Sequence, residues 1–413
     1  MKKKKTLILF MLLTACLLTA CGGKKKEETY DDGLPVLTLA LRSGIYSDVI
    51  RESVLNFEER EKVHCKILEL SEDELHSGIA DDAANEKGAY DLCMVDGSWM
   101  ADFTDKGVLT DLSGLGYELD EDIIPATTEV CYYDGSVYLA PYYGNVTVLL
   151  FNKSIIQRAG YDASQLTSLE DVLAVCEQAK KDGNFGFMYR GDSANNYVVD
   201  FLPVLSSFGG WVVDEDLQPT VNTPEFKEAM EFYLKLIATG KAENRDNLVM
   251  AIANNAAAVA VGWPGWYTPD QNSAADYRAL TGKVKSDSTA YNANVYGIWT
   301  LGIPSNATQK ELSVKLLEYL MDADVQKATV SYGGVPCRYS SLTDEGILQK
   351  YPQYEAVRSA LESGIYRPIM VEWPQFYEIL GEEMGNIIEG KKNIETGLQD
   401  AQTRLDEMLH TKE

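Results

Sequence analysis

Five of the six tryptophans lie in a setting typical of turns and loops, four of them directly beside glycine, proline or an acidic residue and the first of them two residues after a glycine: Trp99, Trp211, Trp263, Trp266 and Trp373. A tryptophan ring in a loop can cover the apolar C–H face of a sugar-like ring, while Asp, Asn, Arg and Ser side chains bind hydroxyls on its rim. The alternative is that each ring belongs to a core, because tryptophan is commonly partly buried. The sixth, Trp299 in "VYGIWTLGI", is expected to pack inside.

Motifs for covalent chemistry are absent from the sequence. The chain has no G-x-S-x-G elbow, no G-x-x-x-x-G-K-[ST] loop and no G-x-G-x-x-G after its first predicted strand. Its three histidines, His64, His76 and His410, lack metal-ligand spacing, so neither a metal nor a cofactor is expected. With 63 acidic residues, a carboxylate pair for glycoside hydrolysis remains an alternative.

The charge of the chain restricts its partners. It has 37 Lys and Arg against 63 Asp and Glu, a formal net charge of -26. Such a surface repels nucleic-acid phosphates, so no nucleic-acid binding is expected and the ligand is expected to be neutral or cationic. A length of 413 residues with 45% hydrophobic residues indicates two or three units with a substantial core.

The amino terminus has the composition of an export signal. The basic cluster "MKKKK" precedes the apolar segment "TLILFMLL", and "LTAC" follows twice, ending at Cys16 and Cys21. Cleavage before Cys21 leaves the polar stretch "CGGKKKEE", whereas cleavage before Cys16 leaves apolar residues. The pattern resembles the bacterial lipoprotein signal, which implies a signal peptide over 1–20, a lipidated Cys21, a tether over 21–33 and anchoring at the extracytoplasmic face of the cell membrane. An ordinary cleaved signal or an uncleaved anchor is the alternative.

The cysteines beyond Cys21 do not form a disulfide pattern. They are odd in number and irregularly spaced, with no C-x-x-C: Cys65, Cys93, Cys131, Cys176 and Cys337. We expect them to be buried as small apolar residues.

The order of apolar runs predicts the fold class. A strand "LPVLTLALRSG", a helix, a strand "VHCKILEL", another helix and a strand "YDLCMV" follow one another, which predicts a parallel sheet wrapped by helices. Ligands bind beyond the carboxyl ends of such strands, which draws attention to Arg42 to Tyr46 and to Asp96 to Trp99. A second unit of similar style follows, with helices starting at the caps Ser168 and Thr223.

Four segments in a fixed order resemble the extracellular solute-binding proteins of ABC importers, in particular the carbohydrate-binding group that includes maltodextrin binders. They are "YDLCMVDGSWMADFTDKGVLTDLS"; "GSVYLAPYYGNVTVLLFNKSIIQRAG"; "FLPVLSSFGGWVVDEDLQPTVNTPEF" continuing to "AAAVAVGWPGWY"; and "GIPSNATQKELSVKLLEYLMD" continuing through "GGVPCR" to "EWPQFYEILGEEMGNIIEGKK". The resemblance covers nearly all of the chain beyond the tether.

This resemblance implies a two-lobe α/β fold of the type II periplasmic-binding-protein class, with a ligand in the cleft between the lobes. Lobe 1 is expected to comprise 34–143 plus 297–335, and lobe 2 to comprise 144–296 plus 336–413. The chain would cross between lobes three times, near 142–145, 296–298 and 334–337. Hinge closure around the ligand would follow.

The resemblance also implies which residues bind the ligand. Asp96, Ser98 and Trp99 match sugar-contact positions, although Asp96 could simply cap the next helix. Trp266, or Trp263 close by, matches a stacking aromatic. Tyr377 stands where the maltodextrin binder has tryptophan. The remaining candidates near the cleft are Tyr46, Tyr142, Arg190, Asp192, Asn195, Trp211, Arg338 and Trp373, and Arg338 could instead be a solvated loop arginine.

The function implied is capture of a sugar or oligosaccharide by a monomeric lipoprotein and delivery to an ABC permease, without enzymatic activity. A surface glycosidase or lyase is one alternative. A receptor for another solute, such as a polyamine, a peptide or a phosphate ester, is the other. A mixture of acids, amides, aromatics and one or two arginines favours the sugar or polyol.

Overall fold

The structure is a computed structural model that describes residues 30–166, 168–269, 272–280 and 293–410. The predicted signal peptide over 1–20, the lipidation at Cys21 and the tether up to residue 29 lie outside the described residues.

The described chain alternates strands and helices. The strands are β1 (Val36–Arg42), β2 (His64–Leu70), β3 (Leu92–Asp96), β4 (Tyr132–Tyr133), β5 (Ser136–Val137), β6 (Ala140–Tyr143), β7 (Val148–Asn152), β8 (Phe185–Tyr189), β9 (Lys241–Ala242), β10 (Ala257–Gly262), β11 (Ala275–Arg278) and β12 (Trp299–Gly302). The helices are α1 (Ile45–Glu61), α2 (Glu72–Asp82), α3 (Met100–Asp105), α4 (Lys153–Arg158), α5 (Leu169–Lys181), α6 (Ala194–Ser207), α7 (Pro224–Ile237), α8 (Arg245–Ala253), α9 (Lys310–Leu320), α10 (Ala323–Thr329), α11 (Tyr339–Leu342), α12 (Glu345–Lys350), α13 (Gln353–Glu362), α14 (Trp373–Ile388) and α15 (Ile394–His410).

Two predicted helix starts are confirmed. The Ser168 hydroxyl accepts a hydrogen bond from the Asp171 N–H at 3.1 Å, at the start of α5. The Thr223 hydroxyl accepts one from the Phe226 N–H, with Pro224 as the first residue of α7. Because these side chains bind otherwise unpaired N–H groups, they fix where the helices begin.

Two five-stranded sheets form the centres of the two lobes. The first has the order β2-β1-β3-β12-β6, in which β1 is parallel to β2 and β3, and β12 is antiparallel to its neighbours. The second has the order β11-β7-β10-β8-β9, in which β8 is parallel to β10 and β9. A parallel sheet wrapped by helices is thus confirmed in outline, with antiparallel strands on one side of each sheet.

The chain passes between the two sheets at three places. Strand β6 of the first sheet leads to β7 of the second, and β11 of the second precedes β12 of the first. After α10, which packs against α1, the chain reaches α13, which packs against β7 and β11. The passing segments are bonded to one another: the Gly144 N–H donates to the Val335 carbonyl at 2.6 Å, and the Gly297 N–H to the Asn145 carbonyl at 2.9 Å.

The core has two parts. One surrounds the first sheet and extends across the passing segments to α13; the other lies among α5, α6, α7, α14 and α15. All five cysteines expected to be buried are indeed buried and unpaired. Among the described helices, none has both the length and the apolar character needed to cross a bilayer.

Candidate functional site

A cavity of about 740 Å³, the main cavity, is lined by both lobes at the carboxyl ends of their parallel strands. Arg42 ends β1 and Asp96 ends β3, while Arg190 follows β8 and Trp263 follows β10. Strand ends converge here because parallel strands terminate at the same edge of a sheet. The volume falls within the range of about 300–1,000 Å³ usual for small-molecule sites.

Eight of the predicted site residues line the main cavity: Tyr46, Asp96, Arg190, Asp192, Asn195, Trp263, Trp266 and Tyr377. Predicted residues from both lobes therefore line the same cavity, although residues 46 and 377 are more than three hundred positions apart in the sequence.

Two further predicted residues do not line the main cavity but contact residues that do. Ser98 donates from both its N–H and its hydroxyl to Asp96 Oδ1, at 2.9 and 2.7 Å, so it orients the carboxylate. Trp99 is 4% exposed and packs edge-on against Trp299 at 5.6 Å between ring centroids. It lines a smaller side cavity of about 150 Å³ instead.

The other four predicted residues lie away from the main cavity. Tyr142 and Trp373 are 2% and 1% exposed and belong to the cores of the two lobes. Trp211 packs against the second core. The Arg338 side chain is buried and forms an ion pair with Asp120 at 2.8 Å. It is therefore neither a cavity residue nor a solvated loop arginine.

Several cavity residues were not predicted. They are Glu72, Asp73, Asn145, Arg245, Trp299, Arg367 and Glu378, together with polar neighbours in the loops that carry them, whereas Arg42 belongs to the stretch 42–46 that the strand-end rule predicted. Glu72 and Asp73 follow β2 just as Asp96 ends β3, so the strand-end rule applied to β2 would have found them. Arg367 lies in the irregular stretch "IYRPIM", which carries no signal of a site.

Asp96 is held by donors from distant parts of the chain. Besides Ser98, Arg367 donates from Nη2 to Asp96 Oδ1 at 2.6 Å, and both side chains are less than a tenth exposed. Asp96 therefore does more than cap the short helical turn that follows it. The pair joins the first sheet to the segment leading into α14.

Arg190 is also held in place. Its N–H donates to Asp200 Oδ2 at 2.9 Å and its Nε to Asp200 Oδ1 at 3.0 Å. The guanidinium lies 5.1 Å from the centre of the Trp266 ring, within the range of a cation–π contact. Asp200 thus fixes Arg190, and Arg190 in turn supports the Trp266 ring at the cavity wall.

Tyr46 links the cavity to a passing segment. Burial raises the pKa of Tyr46 to about 12, so it remains a neutral phenol. Asn145 donates from Nδ2 to the Tyr46 hydroxyl at 3.2 Å. Within the described ranges, two buried atoms of main-cavity residues have no hydrogen-bond partner: Arg42 Nε, a donor, and Asn145 Oδ1, an acceptor.

Glu72 completes this side of the cavity. Burial, followed by the neighbouring charge of Asp96, raises the pKa of Glu72 above its usual value. Arg42 lies 3.8 Å from Glu72, which partly offsets this effect. No group of three or more candidate metal ligands occurs in the part of the chain that the structure describes. The arrangement is suited to binding a polar solute.

Comparison with known proteins identifies similar chains. The model of the bacterial extracellular solute-binding proteins matches residues 43–327. A mannitol-binding protein of Pseudomonas aeruginosa is 26% identical over 297 residues, which cover 68% of this chain and 67% of that protein. A probable amino-acid ABC transporter periplasmic-binding protein of Sinorhizobium fredii is 22% identical over 282 residues, 66% of this chain and 64% of that relative. The chain thus spans about two thirds of these relatives.

A solved structure shares the fold. An ABC transporter solute-binding protein of Agrobacterium radiobacter, in complex with ribitol, superposes with a TM-score of 0.80 and 21% identity, covering 91% of this chain and 99% of that one. At this identity the likeness concerns the fold alone. It confirms the predicted class, an α/β fold of two sheet-containing lobes of the type II periplasmic-binding class.

Proposed function

We propose a function on the basis that this chain belongs to the family of bacterial extracellular solute-binding proteins. It binds a sugar or polyol in the main cavity and delivers it to the membrane subunits of an ABC importer. A relative named as a mannitol-binding protein supports this class of ligand, and so does a protein of the same fold that was solved in complex with ribitol. The family consists of binding proteins, so the glycosidase or lyase alternative is not proposed.

The observation that carries the proposal is the composition of the cavity wall. Trp266 offers an aromatic face, and Arg42 Nε and Asn145 Oδ1 are a donor and an acceptor without partners in the described structure. Because a hydroxyl group both donates and accepts hydrogen bonds, a polyhydroxylated solute can satisfy both atoms. Unpaired buried polar atoms cost free energy, so such a solute would be favoured.

The location and assembly of the protein follow the same proposal. Lipid on Cys21 would hold a monomer at the extracytoplasmic face of the membrane, close to its permease. The predicted lobe boundaries, 34–143 with 297–335 and 144–296 with 336–413, are retained as part of the proposal. They agree with the distribution of strands between the two sheets.

A thermal-shift panel tests the proposal. The panel contains mannitol, ribitol and maltose, with an amino-acid mixture and spermidine as non-sugar controls. A ligand at 100 times its dissociation constant stabilises the folded state by about 2.7 kcal/mol, which raises the melting temperature by several degrees. At least one sugar or polyol is expected to do so and to be recovered unchanged. Stabilisation by amino acids alone, or conversion of the sugar to a product, would overturn the proposal.

A further inference from the structure

The acidic end of the main cavity, defined by Glu72, Asp73 and Glu378, is where α2 of one lobe and α14 of the other line the same space. We propose that the natural ligand carries a protonated amine beside its hydroxyls and that this amine binds at the acidic end. The inference rests on the proposed binding of a polyhydroxylated solute. The new element is that this solute carries a positive charge.

The arginines of the main cavity already face carboxylates. The pairs are Arg190 with Asp200, Arg367 with Asp96, Arg245 with Asp246, and Arg42 near Glu72. In contrast, Asp73 and Glu378 have no ion-pair partner among the residues that the structure describes. Within the described part of the chain, the cavity therefore has carboxylates without an ion-pair partner, and two of them lie at its acidic end, whereas Asp192, the other, accepts a hydrogen bond from the Asn196 amide.

The surroundings of Tyr377 show this negative charge. Burial raises the pKa of Tyr377 to about 12, and the charges of Glu378, Glu72, Asp73 and Asp96 all add to the increase. Nearby negative charges disfavour a further negative charge and favour a cation. A neutral ligand would leave this field uncompensated, whereas an ammonium group would neutralise part of it.

The side cavity gives the amine a place to bind. It has a volume of about 150 Å³ and shares Glu72, Asp73 and Tyr377 with the main cavity; Trp99 and His76 also line it. Carboxylates next to aromatic rings are a common way to bind an ammonium group, by ion pairing and by cation–π attraction.

A buried acceptor provides an independent reason to expect a donor-rich ligand. Asn145 is only 4% exposed and lines the main cavity, and its Oδ1 accepts no hydrogen bond from any described residue. Its amide donates to Tyr46, which lies close enough to Glu72 and Asp96 for their charges to affect its pKa. The acceptor thus belongs to a residue that lines the same cavity as the carboxylates, and an ammonium or hydroxyl hydrogen would satisfy it.

The test compares two matched compounds by titration calorimetry at neutral pH. D-Sorbitol and 1-amino-1-deoxy-D-sorbitol differ in one group, a hydroxyl in the first and a protonated amine in the second. The amine is expected to bind about tenfold more tightly, the gain usual for a hydrogen bond to a charged group. High salt should reduce this preference, because salt screens the attraction. Spermidine, an amine without hydroxyls, is expected to bind more weakly than the amino polyol.

Variants locate the effect. Glu378→Gln should reduce the amine-to-hydroxyl preference severalfold, and the double variant Asp73→Asn with Glu378→Gln should nearly abolish it. Glu52→Gln, at an exposed position of α1 away from the cavity, should retain it. Because both substituted carboxylates are exposed, the variants are expected to fold like the wild type. Melting curves of all variants check this.

The outcomes separate this inference from the proposed function. Sorbitol bound as tightly as its amino analogue, or a double variant that keeps the full preference, would overturn the amine site while supporting a sugar or polyol binder. Spermidine bound more tightly than the amino polyol would overturn the inference, because hydroxyls would not contribute. Binding of spermidine with no binding of any polyol would overturn the proposed function itself.

Discussion

Trp266 and Arg190 form the best-defined contact of the candidate site. The ring follows β10 in the turn "GWPGWY", and a methyl group added to Gly262 would lie 2.9 Å from it, so glycine is required where the strand passes the ring. The guanidinium on the ring is fixed by Asp200. The indole is therefore held at the cavity wall before any ligand arrives.

Replacing this ring should weaken binding more than folding. At about 25 cal/mol per Å² of buried apolar surface, Trp266→Ala should lose roughly 1–3 kcal/mol of binding free energy, about fivefold to somewhat over a hundredfold in dissociation constant. Trp373→Ala is the matched control: that ring is 1% exposed in the second core, so its loss should cost about 3–5 kcal/mol of folding free energy. Calorimetry and melting curves of both variants check this. A Trp266 variant with unchanged affinity and a large loss of stability would contradict the assignment.

Cys21 carries the second prediction. Mass spectrometry of the mature amino terminus from membranes should show a diacylglycerol-modified Cys21, because the polar stretch after it suits a tether. Cys21→Ser should release the protein from the membrane, whereas Cys16→Ser should not. A mature chain beginning at Cys16 would disprove it.

Residue type and neighbours predicted some of the site residues and missed others. The proline and the acidic residue that flank Trp373 favour a loop, but Pro374 is at the start of α14 and the Trp373 ring belongs to the second core. Arg338 was a candidate because it follows a glycine-rich crossing, but Asp120 and Asp122 bind it. Both outcomes depend on residues distant in sequence, which a local pattern does not contain.

Helices α14 and α15 are joined by a buried carboxylate. Glu383 on α14 is 3% exposed and accepts hydrogen bonds from Lys392 at 2.6 Å and Arg404 at 2.8 Å. Helix α14 also packs along α6 and contributes Tyr377 to the main cavity. The hydrogen bonds to Glu383, called the α14–α15 joint below, therefore help to position one wall of the site. No local pattern predicts this connection between the two helices.

The α14–α15 joint makes a pH-dependent contribution to stability. Burial alone would raise the pKa of Glu383, but the hydrogen bonds from Lys392, Arg404 and Asn386 outweigh it and lower the pKa. The stabilisation is therefore present above the unfolded-state pKa of about 4.3 and is lost as the pH falls through the lower folded-state pKa.

Glu383→Gln tests that contribution. The variant should lose about 1–3 kcal/mol of folding free energy at neutral pH, and the difference from the wild type should shrink below about pH 4.3. Denaturation curves across this range measure it, with Glu52→Gln as an exposed control. A difference that stays constant with pH would contradict the role of the carboxylate.

The whole molecule is organised around the segments that pass between its sheets. Asn145 lies in one such segment, contacts Tyr46 and lines the main cavity, so a ligand there touches the connection between the lobes as well as their faces. Repeated strands and helices predicted two units, whereas the resemblance to a known family was needed to order the crossings. Side-chain packing across them could not be predicted from the chain, because the partners are distant in sequence.

Ligand binding should bring the lobes together. A solute that contacts both lobes stabilises the closed form by its difference in affinity for the two forms. Small-angle scattering should show a smaller radius of gyration with the tightest solute of the panel, and Trp266→Ala should need more solute for the same change. An unchanged radius at saturating solute would contradict closure.

The central claim, that the main cavity binds a polyhydroxylated solute, is tested most directly by the electron density of the cavity in crystals grown with that tightest solute. The solute is expected against the Trp266 ring, with hydroxyls within hydrogen-bond distance of Asp96, Arg42 Nε and Asn145 Oδ1. Density for the solute outside the cavity, or for a chemically altered product within it, would contradict the claim.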